Sequence, residues 1–402
     1  MKRIFLFVFT NLAVLVVLSV VARILGVEPE SLHEGFQRAA QQLRKPIVCG
    51  SGPVLDIVIE GDDVELGTLP MIKHFASDQA AYITSGIIVA EDSDRTTGNL
   101  SYHRAMVHSA NELATSLHSR GHLWRLLKQA EERGRKLEVA MVIGGHPLFM
   151  LAASARVAAG VDEREIAGGL FAEPLEVVRT PRYGIGVPAT SDYVLEGVID
   201  PSLEVEEGPF GEFTGYSSYR STNNLLRVET LLGRQDPLLL DVVGGNSAEH
   251  LNLGRIPRES EMAAKLKGRF SEVTALHYPT SGTHFHCYVA VRQQRPGQAR
   301  QVMLALLGWD PYLKTVVAVD DDIDLGDDSQ VLWALATHLQ PASDVIVVDG
   351  LPGSALDPSA PPTGTTSRMA LDATRGAGFE GKRIELSERA VVRGREILAK
   401  LL

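Results

Sequence analysis

The segment EGPFGEFTGY places two carboxylates, Glu207 and Glu212, five positions apart, with two glycines and Pro209 between them. Glycine and proline predict a stiff bend, which a plain acidic surface loop does not need. Two carboxylates held close together repel each other, and the repulsion raises the proton affinity of one of them. An acid with a raised pKa can deliver a proton near neutral pH, so the segment predicts an acid/base pair. The alternative is a tight turn whose glutamates are only solvated.

A second group of polar residues comes from GNLSYHRAMVH and from the segment that ends at His122. Asn99 offers an amide oxygen and Arg104 a fixed cation. His122 adds an imidazole, and Glu173 adds a carboxylate. Amide, imidazole and carboxylate together suit a divalent ion such as Mn²⁺ or Mg²⁺. These residues are tens of positions apart, so spacing carries no specific metal signal, and a hydrogen-bonded structural role is the alternative for each.

Two further groups could bind a cation but have simpler interpretations. His284 and His286 alternate along a predicted strand and could share one face as ligands, whereas a surface pair is the alternative. The run Asp320-Asp321-Asp322 is more typical of a solvated strand end.

Composition and charge narrow the class of protein. The chain has 402 residues, of which 45% are apolar and 22% are charged, and this composition is globular rather than disordered. The net charge of −11 is spread along the chain, and no basic patch indicates a nucleic-acid partner. Cys49 and Cys287 are far apart and form no motif, which favours free thiols in a reducing compartment.

The N-terminus has a different pattern. Lys2 and Arg3 precede an apolar run over residues 4–22, and about 19 such residues suffice to cross a bilayer as a helix. A membrane anchor is the expectation, and a cleaved signal peptide is the alternative. The run is similar to the first membrane span of a bacterial membrane-embedded zinc metalloprotease family. A zinc protease needs His-Glu-x-x-His on a helix, and His33-Glu34 has no second histidine at that spacing.

The elements that must position these residues follow from periodicity. HLWRLLKQAEERG predicts a helix with Ser119 as its cap, and Asp162 with Glu165 predicts a capping box for the next helix. Short strands and turns dominate from Val177 to Val243, and after about residue 248 helices and strands alternate. This order predicts an α+β protein whose C-terminal domain is α/β. The predicted limits are a hydrophobic leader at 1–26, a segment with a linker at 27–80, a strand-rich middle domain at 81–245 and the C-terminal domain at 246–402.

Ten stretches of the chain together resemble the UbiD-type decarboxylases, which use prenylated FMN. They span about residues 50–375 in the order of that family, and the EGPFGEFTGY turn is the most diagnostic. The matching stretches are EGDDVELGTLP, YITSGIIVAED, GNLSYHRAMVH, GVDEREIAGGLFAEPLEVV, VPATSDYVLEG, EGPFGEFTGY, EHLNLGRIPRE, VVAVDDDID, VLWALATHL and SRMALDAT.

The resemblance implies an acid/base network and a reaction. In that family an arginine and two glutamates lie beside the flavin, and the matching residues are Arg104, Glu207 and Glu212. The implied activity is a non-oxidative, reversible decarboxylation of aromatic, heteroaromatic or α,β-unsaturated carboxylic acids. Glu212 would protonate the carbon that CO₂ leaves, while the modified flavin serves as the electron sink.

The resemblance also implies a cofactor site in a β-barrel-like middle domain. Asn99, His122 and Glu173 match positions that hold a divalent metal, with K⁺ nearby, on the cofactor phosphate. The full implied cofactor-binding set is Asn99, Arg104, His122, Ser154, Glu173 and Lys314.

The expected partners are a small carboxylic acid, a flavin prenyltransferase that supplies the cofactor, and further copies of the same chain. The catalytic body is expected in the cytoplasm, anchored to the inner membrane if residues 4–22 form a span. The resemblance implies one departure from the family: most of its N-terminal α/β domain is expected to be absent before residue 50, so that residues 27–80 would be a remnant of an N-terminal domain with a linker and residues 81–245 the cofactor-binding catalytic domain. An inactive remnant of the fold, or a membrane-anchored fusion without decarboxylase activity, is therefore the rival interpretation.

Overall fold

The computed structural model describes residues 19–27, 31–92, 97–117, 121–158, 160–218, 222–361, 364–376, 378–384 and 387–401. The α-helices whose two ends lie within these residues are numbered in chain order: α1 Leu32–Ala40, α2 His122–Glu132, α3 Pro147–Ala153, α4 Glu163–Phe171, α5 Ala248–Lys267, α6 Gln298–Trp309, α7 Asp328–His338, α8 Pro341–Asp344 and α9 Glu388–Leu401.

The strands of the first half are β1 Ile47–Val48, β2 Ile57–Glu60, β3 Tyr82–Ile83, β4 Ile87–Glu91, β5 Gly98–Tyr102, β6 Ala105–Val107, β7 Glu112–Thr115, β8 Leu137–Ile143, β9 Glu176–Arg179 and β10 Gly186–Pro188. Those of the second half are β11 Tyr193–Glu204, β12 Phe210–Gly211, β13 Ser217–Ser218, β14 Asn224–Gly233, β15 Val273–His277, β16 His286–Val291, β17 Thr315–Val319, β18 Val345–Pro352 and β19 Thr365–Ala373.

Within the described residues, nine strands form one antiparallel sheet in the order β3-β6-β7-β14-β11-β8-β4-β5, with β2 also paired to β14. The sheet curls into a half-barrel. Its centre is the long β11–β14 pair, whose register shifts once after Glu196 and again after Ile199. Such irregularities bend strands and increase their twist, which is how an antiparallel sheet curls.

Both faces of the half-barrel are covered, and β4 shows why its sequence is continuously apolar. Ile87 and Val89 belong to a core shared with α1, α3 and α4. Ile88 and Ala90 belong to the opposite core, which α2 covers. Successive strand residues point to opposite faces, so a strand buried on both faces needs apolar residues at every position.

The C-terminal sheet has the order β15-β16-β17-β19-β18. The inner pairs β16–β17 and β17–β19 are parallel, and the two edge pairs are antiparallel. Helices α5 and α6 cover one face, and α7 covers the other. This is the expected α/β arrangement, and the predicted α+β class with a barrel-like sheet is confirmed.

Several local predictions need correction. The apolar stretch YITSGIIVA, residues 82–90, is typical of one buried strand, but β3 and β4 are separate, and between them a Cβ on Gly86 would lie 2.8 Å from the Met141 sulfur. The helix α2 begins after Gly121, and the expected cap Ser119 lies outside the described residues. The Asp162 side chain does cap α4, but it accepts from the backbone N–H of Arg164. The predicted domain limits stay predictions, and β2 from the segment assigned to a linker is part of the main sheet.

The predicted membrane span at residues 4–22 lies mostly outside the described residues. At its described end, residues 19–25 are helical, and Val21 and Ala22 are buried in the same core as Leu32 and Phe36. No helix in the described part of the chain is long and apolar enough to span a bilayer. The expectation of an anchor, and the similarity to a membrane zinc metalloprotease, gain no support from the structure.

The close contact between strands β11 and β14 at the centre of the half-barrel can be tested by substituting Gly197. A Cβ at this position would collide with the backbone carbonyl of Arg227 on β14. We expect Gly197→Ala to destabilise the fold by about 1–3 kcal/mol, because backbone must move to relieve the overlap. Gly308→Ala is the matched control, since Gly308 lies in α6 with open space around the added methyl. Thermal unfolding should show a lower midpoint for Gly197→Ala and an unchanged or higher midpoint for Gly308→Ala. Equal midpoints would contradict the close contact between Gly197 and the Arg227 carbonyl.

Candidate active site

One arginine joins the two glutamates of the EGPFGEFTGY turn. Arg104, between β5 and β6, donates from Nε to Glu207 Oε1 at 2.8 Å and from Nη2 to Glu207 Oε2 at 3.0 Å. Its remaining nitrogen, Nη1, donates to Glu212 Oε1. The guanidinium also lies over the ring of Phe210, 4.8 Å from its centroid. The chain therefore brings together residues more than a hundred positions apart, as the sequence predicted for this trio.

The three side chains are shielded from solvent, with exposed fractions of 15% for Arg104, 0% for Glu207 and 9% for Glu212. Burial raises the pKa of Glu212, Arg104 opposes that shift, and the neighbouring Glu207 adds to it. Burial lowers the pKa of Arg104, but its bonds to the two carboxylates more than reverse this, so the net pKa is raised. Glu212 is thus a carboxyl group of raised pKa held beside a permanent cation.

The turn is held by contacts from a distant loop. The Gly211 N–H donates to Asp78 Oδ1 at 3.1 Å, and Asp78 Oδ2 accepts from the Phe75 N–H at 2.8 Å. A Cβ on Gly211 would lie 2.5 Å from the Phe75 ring, so glycine is required for this close approach. The Glu212 N–H donates to the Tyr216 carbonyl at 2.9 Å across the β12–β13 hairpin. Contacts within the protein therefore fix the backbone of the turn around Glu212.

A cavity of about 430 Å³ opens beside this trio, between the half-barrel and the C-terminal sheet. This is within the range of about 300–1,000 Å³ that is usual for small-molecule sites. Ser154, as the resemblance implied, is among the lining residues. The lining comprises Thr84, Tyr102, Arg104, Ala153, Ser154, Arg156, Phe210, Glu212, Phe213, Val242, Gly244, His250, Leu253, Gly254, Arg258, His284, Tyr312 and Leu356.

The predicted metal ligands are only partly brought together. Asn99 Nδ2 lies 3.2 Å from Glu163 Oε1, and His122 Nδ1 lies 4.0 Å from the same oxygen. The carboxylate beside Asn99 and His122 is therefore Glu163, at the first turn of α4. Glu173 is exposed just beyond the other end of that helix.

Asn99, His122 and Glu163 form a polar cluster beside the start of α4. Burial raises the pKa of Glu163 to about 7, and the adjacent Asp162 adds to the shift. Burial lowers the pKa of His122, which leaves its imidazole neutral and able to coordinate. No three His, Cys, Asp or Glu side chains converge as a metal group among the described residues.

Lys314 does not line the cavity. Its Nζ pairs with Asp357 Oδ2 at 2.8 Å and donates to Ser359 Oγ at 2.6 Å. The implied contact with a cofactor phosphate finds no support in this arrangement. Sequence reasoning also missed Arg156, His250 and Tyr312 as cavity residues, because no local motif marks them. Of the strand pair considered earlier, His284 lines the cavity and His286 is not among the lining residues.

Most of the chain matches domains and proteins that are already known. Residues 47–247 match the 3-octaprenyl-4-hydroxybenzoate carboxy-lyase Rift-related domain, and residues 251–373 match the corresponding C-terminal domain. The chain is 33% identical over 344 residues to the anhydromevalonate phosphate decarboxylase of Methanothermobacter thermautotrophicus, covering 85% of this chain and 80% of that protein.

Solved structures agree with these matches. The UbiD-class enzyme HmfF from Pelotomaculum thermopropionicum, in complex with FMN, superposes with a TM-score of 0.88 at 31% identity, covering 93% of this chain and 85% of that one. An evolved dimeric form of HmfF in complex with prFMN has a TM-score of 0.83 at 30% identity, with coverage of 93% and 84%. The fold and the site thus define a carboxy-lyase. The chain belongs to the UbiD family, as the sequence motifs predicted.

The pairing of Arg104 can be tested through stability. Arg104→Gln leaves two buried carboxylates without their cation, and breaking such a pair costs about 3–5 kcal/mol. Without the cation the pKa of Glu212 rises further above its unfolded value. Stability from a raised pKa is present at low pH and is lost as pH rises through the folded pKa, so the deficit should be larger at about pH 8 than at about pH 5.

Denaturant unfolding at the two pH values measures this deficit. The double variant Arg104→Gln/Glu207→Gln is the control, because it removes one orphaned charge and should recover part of the lost stability. A single variant as stable as the parent at both pH values would mean that the pairing does not hold the site.

Proposed function

We propose that this protein is a non-oxidative decarboxylase of aromatic, heteroaromatic or α,β-unsaturated carboxylic acids, with prenylated FMN as its cofactor. The observation that carries the proposal is the buried Arg104–Glu207–Glu212 network on the wall of a ligand-sized cavity. The FMN and prFMN named for the HmfF structures support the choice of cofactor. When bound, the cofactor would accept the negative charge that develops on an sp² carbon as CO₂ departs.

The chain's own residues would manage the proton. Arg104 fixes Glu207 through two hydrogen bonds and contacts Glu212 through one, and Glu212 is the group that would change its protonation state. Burial raises the pKa of Glu212, and this is the direction that favours a proton donor. It would give its proton to the carbon from which CO₂ left. The adjacent aromatic rings of Phe210 and Phe213 line the cavity and restrict water access. The same groups can run the carboxylation direction.

A divalent ion is part of the proposal. Asn99, His122 and Glu163 would hold Mn²⁺ or Mg²⁺, and this ion would neutralise the phosphate of the cofactor, with K⁺ close by. The support is the buried carboxyl of Glu163 between an amide and a neutral imidazole, which is a donor set that suits these ions. A flavin prenyltransferase would supply the cofactor. The expected self-association stays a prediction.

The inactive remnant is the competing interpretation. The connected acid/base network of Arg104, Glu207 and Glu212 favours a working enzyme over the remnant. Protein made alongside a flavin prenyltransferase should carry a cofactor of matching absorbance and mass, and it should release CO₂ from an unsaturated acid. Loaded protein that releases no CO₂ from any aromatic, heteroaromatic or unsaturated acid would favour the remnant.

Proton donation can be tested at Glu212. We expect Glu212→Gln to lower decarboxylation by about 10²–10⁴-fold, because the amide cannot supply the proton, while flavin content stays near that of the parent. Glu206→Gln is the matched control, since Glu206 lies in the same segment but is exposed. Single-turnover CO₂ release and flavin absorbance measure the two effects. Turnover of Glu212→Gln within about threefold of the parent would exclude this residue as the donor.

The ion site can be tested by comparing Glu163→Gln with Glu173→Gln. The first change removes the buried carboxylate beside Asn99 and His122, so we expect at least about a tenfold loss of bound Mn²⁺ affinity and a lower flavin content. The second alters an exposed carboxylate and should preserve both. Elemental analysis and flavin absorbance on purified protein decide. A loss of Mn²⁺ and flavin in Glu173→Gln but not in Glu163→Gln would instead support Glu173, the ligand that the resemblance implied.

A further inference from the structure

The edge strand β5 carries a row of polar side chains at alternate positions. Asn99 and Ser101 lie in the strand, and His103 follows directly after its end. Side chains two positions apart point to the same face of a strand, so these three lie side by side. Their face is the one covered by α2, because the strand partners of Asn99 and Ser101 are Ala90 and Ile88 of that core. We call Asn99, Ser101 and His103 the polar row.

The direction of hydrogen bonding along the polar row is set at His103, which is buried. Its Nδ1 lies 2.9 Å from the Ser116 carbonyl oxygen. A carbonyl only accepts, so Nδ1 carries a hydrogen, and in the neutral ring Nε2 then offers a lone pair. Ser101 Oγ lies 2.9 Å from this Nε2 and 3.4 Å from Asn99 Oδ1. A serine has a single hydrogen, and the shorter contact takes it, so the Ser101 oxygen faces Asn99 as an acceptor.

The amide of Asn99 lies between this acceptor and a carboxyl group. Its Nδ2 donates to Glu163 Oε1 at 3.2 Å, and His122 Nδ1 lies 4.0 Å from the same oxygen. A divalent ion held by Glu163 and His122 needs the amide oxygen on this side, because an amide NH₂ group does not coordinate a cation. A half-turn of the amide would present Oδ1 to the ion and direct Nδ2 toward Ser101, whose oxygen can accept its hydrogen.

We propose that Ser101 and His103 are positioning residues that turn the amide oxygen of Asn99 toward the divalent ion. This inference rests on the ion site of the proposed function and adds the residues that orient its amide ligand. With the ion bound, Asn99 donates to Ser101, Ser101 donates to His103, and His103 donates to the Ser116 carbonyl. Since each group donates to the next, the carbonyl at one end decides which atom Asn99 presents at the other. Residues behind a metal ligand commonly fix its orientation through such hydrogen bonds.

The test measures the Mn²⁺ affinity of the full chain with bound FMN, from the electron paramagnetic resonance signal of free Mn²⁺. His103→Phe keeps a ring but removes both nitrogens, so the Ser101 hydrogen can bind Asn99 Oδ1 and compete with the ion. We expect the affinity to fall by about 10–100-fold. Ser101→Ala removes the acceptor without leaving a competing donor, so its loss should stay below about tenfold. Ser109→Ala is the matched control, since Ser109 is exposed, and it should bind Mn²⁺ like the parent.

The double variant Ser101→Ala/His103→Phe separates orientation of the amide from a merely structural role. Removal of the Ser101 hydroxyl should raise the Mn²⁺ affinity above that of His103→Phe, whereas independent structural damage at two sites would lower it further. His103→Gln, whose amide keeps one donor and one acceptor, should retain most of the affinity. Thermal unfolding without Mn²⁺ reports the folding of each variant, and the Ser101→Ala and His103→Gln results decide if His103→Phe does not fold.

Three results would overturn the inference: no Mn²⁺ binding by the parent, equal Mn²⁺ affinity of the parent and both single variants, or a double variant that binds no more tightly than His103→Phe. CO₂ release from an unsaturated acid by the flavin-loaded parent is measured separately. Mn²⁺ affinities in the expected order without CO₂ release would support the positioning role and reject the proposed decarboxylation. CO₂ release with equal Mn²⁺ affinities would support the decarboxylation and reject the positioning role.

Discussion

The hydrogen-bonded trio of Arg104, Glu207 and Glu212 is the constraint on which the rest of the site depends. A buried carboxylate is costly unless it is paired, and here two of them share a single cation. The arginine uses a two-bond contact for Glu207 and a single contact for Glu212. This unequal sharing gives the two acids different environments, because Glu207 is held by two bonds and Glu212, whose pKa burial raises, by one.

The half-barrel supplies the rigidity that this trio requires. Its strands are packed on both faces, so the loop that carries Arg104 and the strand β11 that leads toward the turn are fixed by two cores. Asp78 then ties the glutamate turn to a separate loop through two backbone N–H groups. Preorganised groups in a water-poor site avoid reorganisation during a reaction, and this is where an enzyme gains most of its electrostatic advantage.

The C-terminal domain completes the cavity and adds further polar side chains to its lining. The helix α5 runs from the cavity into the C-terminal core and carries His250, Leu253, Gly254 and Arg258. Its Arg258–Asp310 pair is almost fully buried and joins the helix to the segment after α6. That pair neutralises one arginine of the cavity.

The sequence by itself determined the local elements and the family. Apolar periodicity predicted α2, glycine and proline predicted the bend around Pro209, and the ordered motifs identified the UbiD resemblance with its arginine and two glutamates. Only the tertiary structure decided which of two acids near the ends of α4 joins Asn99 and His122. Glu163 and Glu173 have the same side chain, and their sequence neighbourhoods do not reveal which one faces the half-barrel. Likewise, Lys314 pairs with Asp357, 43 residues further along the chain, and does not line the cavity. The local sequence pattern indicates the periodicity of helices and strands and the positions of turns. The charge state of a side chain, and whether that side chain can bind a ligand, depend on partners that only folding brings within a few ångströms.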